Sequence, residues 1–177
     1  MIFFWTKSDK IGSRLIRWGL GEDCSHFAIG FFEDSGDPRV LESRAETGVK
    51  DSKLSDFLAD GKEIVHAEQF FDLGDNEKVI YDAMRSELEG ARYDKIAVCY
   101  WLCVGLRLRL FGAKIPLRNA WGRDELVYCV EIAQVIPGIL YEIGIDVSTF
   151  DLEMTSPHGF YDMVKETGAL RSIEGAF

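Results

Sequence analysis

The sequence has few of the residues that build disulfide frameworks, zinc knuckles or nucleic-acid interfaces. Its four cysteines include no C-x-x-C pair, which argues against a disulfide scaffold or a zinc knuckle and indicates reduced thiols. Lysine and arginine total 20 against 30 aspartates and glutamates, so the net charge of −10 should repel phosphate backbones. Nucleic acid is therefore a poor candidate partner.

Long apolar runs are also missing. The longest stretch without a charged or strongly polar residue runs from Ile96 to Leu106, well short of the roughly 20 residues that a membrane-crossing helix needs. The opening residues MIFFWTKSDK have no basic segment ahead of their short apolar run, unlike a secretory signal. With no signal peptide or transmembrane segment expected, the sequence predicts a cytoplasmic protein without an integral membrane segment.

What is present is typical of one folded domain. The chain has 177 residues, of which 47% are hydrophobic, 28% charged and 12% aromatic. These fractions exclude a disordered chain and are sufficient for one sizeable core. We find no internal repeat, low-complexity tract or linker, so residues 1–177 are predicted to form a single domain.

The predicted elements place strands early and helices mostly late, which indicates an α+β fold with an antiparallel sheet packed against helices. Strands are predicted at 2–5, 25–32, 39–42 and 63–67, the second and third forming a β-hairpin across a turn-forming segment. Helices or helical turns are predicted at 11–18 (capped by Ser8 or Asp9), 52–58, 75–90, 95–111, 126–136 (stopped by Pro137-Gly138) and 160–165.

The segment 95–111 is apolar all round, which predicts a helix buried against several neighbours. Basic residues lie near its C-terminal end at Arg107, Arg109 and Lys114. They leave a lipid-facing role open, although burial is the favoured interpretation because apolar residues cover every side of the helix.

Familiar phosphate and metal signatures are absent, including a P-loop, G-x-S-x-G and H-E-x-x-H. The candidates for a base that works at neutral pH are only three histidines, His26, His66 and His158. We assign no role to His66, and His158, between proline and glycine, is interpreted as a surface turn residue.

Cys129 is the first candidate for chemistry. It follows a polar run and falls near the predicted start of the helix over 126–136. A thiol there experiences the positive end of the helix dipole and free backbone N–H groups, which favour the nucleophilic thiolate and could bind an oxyanion. The alternative is a small core residue packed beside Tyr128.

His26 opens a predicted strand in which alternation separates small from bulky side chains. His26, Ala28 and Gly30 share one face, and the three bulky apolar residues share the other. The small residues would let another element, such as one bearing a nucleophile, approach closely beside the imidazole. The alternative is a structural histidine at the margin of a sheet.

Glu42 lies on the paired strand of the hairpin and can neighbour His26 if the register allows it. A carboxylate there would orient the imidazole and stabilise the imidazolium, which is the third role in a Cys-His-acid arrangement. Glu46 is a rival for this role, and a solvated strand carboxylate is the structural alternative.

In chain order, the segments S-H-F-A-I-G from Ser25, V-L-E-S from Val40, Gly48-Val49, Tyr93-Asp94 and Y-C-V-E from Tyr128 are similar to those of a known family. They resemble the circularly permuted branch of the NlpC-type papain-like cysteine hydrolases, with its lecithin:retinol acyltransferase-like relatives. The histidine strand precedes the cysteine here, as in that branch. Val130 departs from the pattern, which usually has a small polar residue there.

The resemblance implies a small papain-like α+β fold with Cys129 as nucleophile, His26 as general base and Glu42 as the group that orients His26. It implies a thiol protease, amidase or acyltransferase that uses this catalytic triad without a cofactor or metal. The implied substrates are peptide or isopeptide amides, peptidoglycan-like peptides, or lipid acyl groups.

Two other interpretations of these residues stay open. The same fold could be a noncatalytic module that binds a peptide or acyl chain in the cleft around Cys129. Alternatively, Cys24, His26, Cys129 and a carboxylate could form a metal site.

Overall fold

The computed structural model describes residues 1–32, 38–70, 73–74, 76–112, 114, 126–142, 155–166 and 170–172. The strands are β1 (Ile2–Ser8), β2 (His26–Phe31), β3 (Arg39–Arg44), β4 (Gly48–Lys53), β5 (Lys62–Phe70) and β6 (Leu170–Ser172). The α-helices are α1 (Ile11–Leu20), α2 (Leu54–Ala59), α3 (Asn76–Leu88), α4 (Lys95–Phe111), α5 (Ile136–Glu142) and α6 (Pro157–Glu166), and a 3₁₀ helix spans Glu131–Val135. The chain is α+β, as predicted.

The strands form a six-stranded sheet in the order β4-β3-β2-β1-β5-β6, and each neighbouring pair is antiparallel. β1 is a central strand, between β2 and β5. Its apolar residues are covered on both faces of the sheet. Phe3, Phe4 and Trp5 are all fully buried, and such an uninterrupted apolar run is typical of a strand covered on both sides. The predicted hairpin of β2 and β3 is confirmed.

The two faces of the sheet carry two separate hydrophobic clusters. Phe27 and Ile29 join the larger cluster, together with buried residues of β1, α3, α5 and α6. Ala28 joins the smaller cluster, which is covered by Leu54 and Phe57 of α2. The alternation predicted for β2 is therefore confirmed.

The expected use of the small residues on β2 is wrong. A Cβ added at Gly30 would lie 2.4 Å from the ring of Phe4, so a side chain of the adjacent strand occupies this space. Cys129 packs with the larger cluster, which contains Phe27 and Ile29, and not over Ala28 and Gly30.

Helix α4 has the predicted bounds but not the predicted burial. Only four of its residues are buried: Ala97, Trp101, Val104 and Gly105. The helix packs against α1, where a Cβ on Gly105 would lie 3.0 Å from the carbonyl carbon of Gly19. Its other sides are exposed, with Leu110 at 63% and Phe111 at 80%. No helix among the described residues is long and apolar enough to cross a membrane.

The predicted helix over 126–136 is also wrong. Leu126 forms an isolated bridge with Arg92, and the helical segment starts only at Glu131. Pro137 does not stop a helix but lies in the first turn of α5. Proline is accepted there because the N–H that it lacks would have no acceptor within the helix.

The two predicted caps of α1 are wrong as well. The N-cap residue is Lys10, which makes no side-chain capping bond. The Ser13 hydroxyl accepts instead from the backbone N–H of Ser8 at 3.0 Å and ties the helix to the end of β1.

Candidate functional site

The structure places Glu42 against His26 through the register of the β2–β3 hairpin. Glu42 pairs with Ala28, two residues beyond His26 on the same face of β2. A carboxylate oxygen of Glu42 lies 2.8 Å from Nε2 of His26. The His26 side chain is 20% exposed and that of Glu42 is fully buried. The predicted contact between these two residues is therefore present.

Glu42 is held by cations as well as by the imidazole. Nζ of Lys62, at the start of β5, lies 2.9 Å from one carboxylate oxygen and 3.1 Å from the other. The Arg44 guanidinium lies 3.8 Å away. Burial alone would raise the pKa of Glu42, but the hydrogen bond from His26 and the charges of His26 and Lys62 outweigh it and lower the pKa to about 2. The carboxylate is ionised throughout the neutral range.

The rival carboxylate Glu46 does not take this position. Glu46 is exposed and lies beyond the end of β3, on the lining of a cavity next to the site. Among the described contacts, the carboxylate bonded to the His26 ring is that of Glu42.

Cys129 is brought to His26 by a segment that is anchored on both sides. The N–H of Val127 donates to the carbonyl of Arg92 at 2.9 Å, and the Ser43 hydroxyl donates to the carbonyl of Val127 at 2.7 Å. The turn that follows brings Cys129 close enough to His26 for the thiol to act on the imidazole and raise its pKa. Cys129 is only 4% exposed.

The charge balance of His26 reflects both partners. Burial alone would lower the pKa of His26, but the hydrogen bonds with Cys129 and Glu42 and the charges of those two groups raise it to about 9. A histidine in this state holds a proton at neutral pH beside the cysteine sulfur. His26 is thus influenced by Cys129 on one side and bonded to Glu42 on the other, which is the order of groups in a Cys-His-acid arrangement.

Two adjoining cavities give access to these groups. The larger has a volume of about 430 Å³ and is lined by His26 and Glu42. The smaller has a volume of about 30 Å³ and is lined by Cys129. Both are bordered by Ser25 and by Tyr93.

Tyr93 is a site residue to which the sequence assigned no role beyond its place in the family pattern. Burial raises the pKa of Tyr93 well above its ordinary value, and the charge of Cys129 adds to the effect. The phenol therefore stays protonated and can donate a hydrogen bond toward the cavity. Its neighbour Asp94 caps α4 by accepting from the backbone N–H of Ala97 at 2.7 Å, so the start of α4 fixes the position of Tyr93.

The metal site suggested for Cys24, His26, Cys129 and a carboxylate does not form. Cys24 is fully buried, and burial together with the charges of Asp23 and Glu22 raises the pKa of its thiol far above the ordinary value. Among the described residues, the group with metal-ligand geometry is Asp23, His66 and His158. His158 lies in the first turn of α6, so its interpretation as a turn residue is wrong.

Comparison with known proteins identifies a structural neighbour but no family. No protein-family profile and no curated protein matches the chain. The chain is similar to the solved structure of metalloprotein yiiX (DUF1105) from Escherichia coli O157:H7, with a TM-score of 0.51 and 16% sequence identity. The match covers 99% of this chain and 88% of that chain. At this identity the similarity concerns the fold alone.

Proposed function

We propose that the chain is a cysteine hydrolase with a permuted papain-like fold, which cleaves an amide (peptide or isopeptide) or acyl ester bond through a thiol acyl-enzyme. The observation that supports the proposal is His26 between two partners: Glu42, bonded to Nε2 at 2.8 Å, and Cys129, which is close enough to raise the pKa of the imidazole. These three groups come from distant parts of the chain. Their order along the chain, with histidine before cysteine, is that of the permuted branch.

In the first half-reaction, His26 holds the proton of Cys129 and the thiolate adds to the carbonyl carbon of the substrate. The carbonyl oxygen becomes an oxyanion, which the backbone N–H of Cys129 would stabilise. Collapse of this intermediate breaks the bond to nitrogen or oxygen. The leaving group takes the proton from His26, and the acyl group remains on sulfur as a thioester.

In the second half-reaction, His26 accepts a proton from water while the water oxygen attacks the thioester carbonyl. Cys129 leaves as a thiolate, and the acyl group is released as a carboxylic acid. An acceptor other than water would give acyl transfer instead. Glu42 keeps Nε2 of His26 bonded at 2.8 Å in both steps, so the other ring nitrogen stays directed at the reacting atoms.

The charge of the larger cavity favours substrates with an anionic group. Its lining includes five basic residues, Lys7, Lys10, Arg44, Lys62 and Lys95, against the two carboxylates of Glu42 and Glu46. Lys7, Arg44 and Lys62 are paired with Glu63, Asp60 and Glu42, so Lys10 and Lys95 contribute most of the excess positive charge. Although the chain as a whole has a net charge of −10, the cavity lining therefore carries more positive than negative side chains. A carboxylate or phosphate near the scissile bond would complement it.

The test is direct detection of the acyl-enzyme. The protein is incubated with p-nitrophenyl esters of short and long acyl chains and with a peptidyl p-nitroanilide, quenched in acid, and mapped by peptide mass spectrometry. We expect an acyl adduct on Cys129 and none in the Cys129→Ala variant, with slower formation in His26→Gln. A Cys129 that stays unmodified, while acyl chains or peptides bind with measurable affinity, would instead establish the noncatalytic binding module.

A further inference from the structure

We propose that Asp23, His66 and His158 form a binding site for a divalent transition metal, with Zn²⁺ as the best-matched ion. The three side chains come from the loop after α1, from β5 and from the first turn of α6. None of them takes part in the proposed hydrolysis, so the inference stands independently of it.

The geometry is close to what a zinc ion requires. The two Asp23 oxygens lie 3.2 Å from Nε2 of His66 and 2.9 Å from Nδ1 of His158. One ligand atom from each residue lies within 4.8 Å of the other two. Bonds of about 2.0–2.2 Å to Zn²⁺ place tetrahedral ligand atoms roughly 3.3–3.5 Å apart. Small rotations of partly exposed side chains are enough to reach this spacing.

Neighbouring groups lie against both imidazole rings. The His66 ring stacks on Tyr161 with a centroid distance of 4.1 Å and an interplanar angle of 10°. Nε2 of His158 lies 3.6 Å from a carboxylate oxygen of Asp162, one turn along α6. A carboxylate behind a ligating histidine is the usual outer support of a metal site, since it holds the ring orientation and makes the other nitrogen a better ligand.

The donor set also selects the class of metal. Two imidazoles and one carboxylate suit Zn²⁺ or neighbouring transition metals, whereas Ca²⁺ and Mg²⁺ prefer oxygen ligands alone. Three protein ligands leave a coordination position for water. Because the ligand side chains are 24% to 50% exposed, an ion can enter from solvent. A bound ion would cross-link β5, α6 and the loop that leads into β2.

The experiment measures metal uptake rather than turnover. Protein stripped with a chelator is titrated with ZnCl₂ by calorimetry, and with CoCl₂ by visible spectroscopy. We expect one equivalent of Zn²⁺ in the wild type, at least a hundredfold weaker binding in His66→Gln and in His158→Gln, and unchanged binding in Cys129→Ser. The cobalt spectrum should show d–d bands without a thiolate charge-transfer band.

Any of three results would refute the metal site. The wild type could fail to bind one equivalent of Zn²⁺, both histidine variants could bind Zn²⁺ as tightly as the wild type, or the cobalt spectrum could show a charge-transfer band from a cysteine thiolate. Circular dichroism of the two single variants checks that each is folded. Loss of hydrolysis in Cys129→Ser with retained zinc binding keeps this inference separate from the proposed function.

A second and independent observation concerns the exposed surface of α1 and α4, which we infer to be a docking face for an anionic lipid bilayer. On α1, Ile11 is 77%, Leu15 47% and Trp18 48% exposed. On α4, Leu110 and Phe111 are 63% and 80% exposed. The Arg109 guanidinium lies 5.6 Å from the Trp18 ring centroid, so the two exposed surfaces adjoin.

The charge of this face is opposite to that of the whole protein. Arg14, Arg107 and Arg109 are exposed on these two helices, and residues 10–21 and 95–112 contain no acidic residue, although the chain carries a net charge of −10. Exposed leucine, tryptophan and phenylalanine interleaved with arginine and lysine are typical of helices that lie in a membrane interface.

The test is sedimentation with vesicles of phosphatidylcholine alone or with a quarter phosphatidylglycerol. We expect binding to the anionic vesicles that weakens with salt and falls at least tenfold in Leu110→Ser/Phe111→Ser. Val79→Ser is the matched control, because Val79 is 56% exposed on α3. Binding that is absent, or independent of lipid charge and of the double variant, would refute the inference. A dimer in sedimentation equilibrium that the double variant dissociates would assign the face to a second copy instead.

Discussion

Replacing Glu42 with glutamine should remove a large part of the acid sensitivity of folding. The carboxylate is fully buried and bonded to His26 and Lys62. Its folded pKa of about 2, against the ordinary 4.5, corresponds to about 3 kcal/mol of stabilisation. Since the folded pKa is the lower one, this stabilisation is fully present above pH 4.5 and is lost as the pH falls through about 2.

The assay is urea unfolding of both proteins at a series of pH values from 7 to 2. Between pH 5 and pH 2, the free energy of unfolding of the wild type should fall by about 3 kcal/mol more than that of Glu42→Gln. At pH 7 the variant should be less stable by about 3–5 kcal/mol, because the buried Lys62 ammonium loses its counter-charge.

A matched control is Glu63→Gln, since Glu63 is 69% exposed and pairs with Lys7 at the surface. This variant should change the stability by no more than about 1 kcal/mol at any pH. Parallel pH profiles for the wild type and Glu42→Gln would refute the reasoning, because they would mean that Glu42 has the same pKa in the folded and unfolded chain.

Four further variants test the site and the helices that pack beside it. His26→Gln should slow acyl-enzyme formation by about 10²- to 10⁴-fold in stopped-flow assays. Because the His26 pKa is raised from 6.5 to about 9, the wild type should also lose stability as the pH rises from 7 through 9, and this variant should not. Gly105→Ala should destabilise the protein by about 1–3 kcal/mol in urea unfolding, because the added Cβ would contact the backbone of Gly19. The control Gly12→Ala has open space around the added Cβ and should stabilise the protein by roughly 0.5–1 kcal/mol. Asp94→Ala should lower the free energy of unfolding by about 1 kcal/mol, because α4 loses its N-terminal cap. An unchanged urea midpoint in Gly105→Ala or in Asp94→Ala would contradict the contacts described for that residue.

The contact between His26 and Glu42 was accessible to sequence reasoning because it depends on a local hairpin. Alternation along β2 assigns the faces, and a partner strand shortly afterwards brings its own residues alongside. What the sequence left open was the choice between Glu42 and Glu46, since it depends on the register. The pairing of Glu42 with Ala28 decides it.

Features set by tertiary neighbours were predicted less well. The apolar pattern of α4 was interpreted as burial on all sides, but the sequence does not show how many elements cover a helix. Pro137 was interpreted as a helix stop, although proline suits a first turn equally well. The cluster of Asp23, His66 and His158 carries no local motif, because its members are joined only by the fold.

Competitive alkylation of the four cysteines tests the central claim most directly. The native protein is treated with substoichiometric iodoacetamide at pH 6 and mapped by mass spectrometry. Cys99 and Cys103 are exposed and serve as internal references, whereas Cys129 is 4% exposed. We expect Cys129 to be labelled first in the wild type, because it is the proposed nucleophile beside His26, and we expect His26→Gln to abolish this preference. Labelling of Cys99 and Cys103 ahead of Cys129 in the wild type would contradict it.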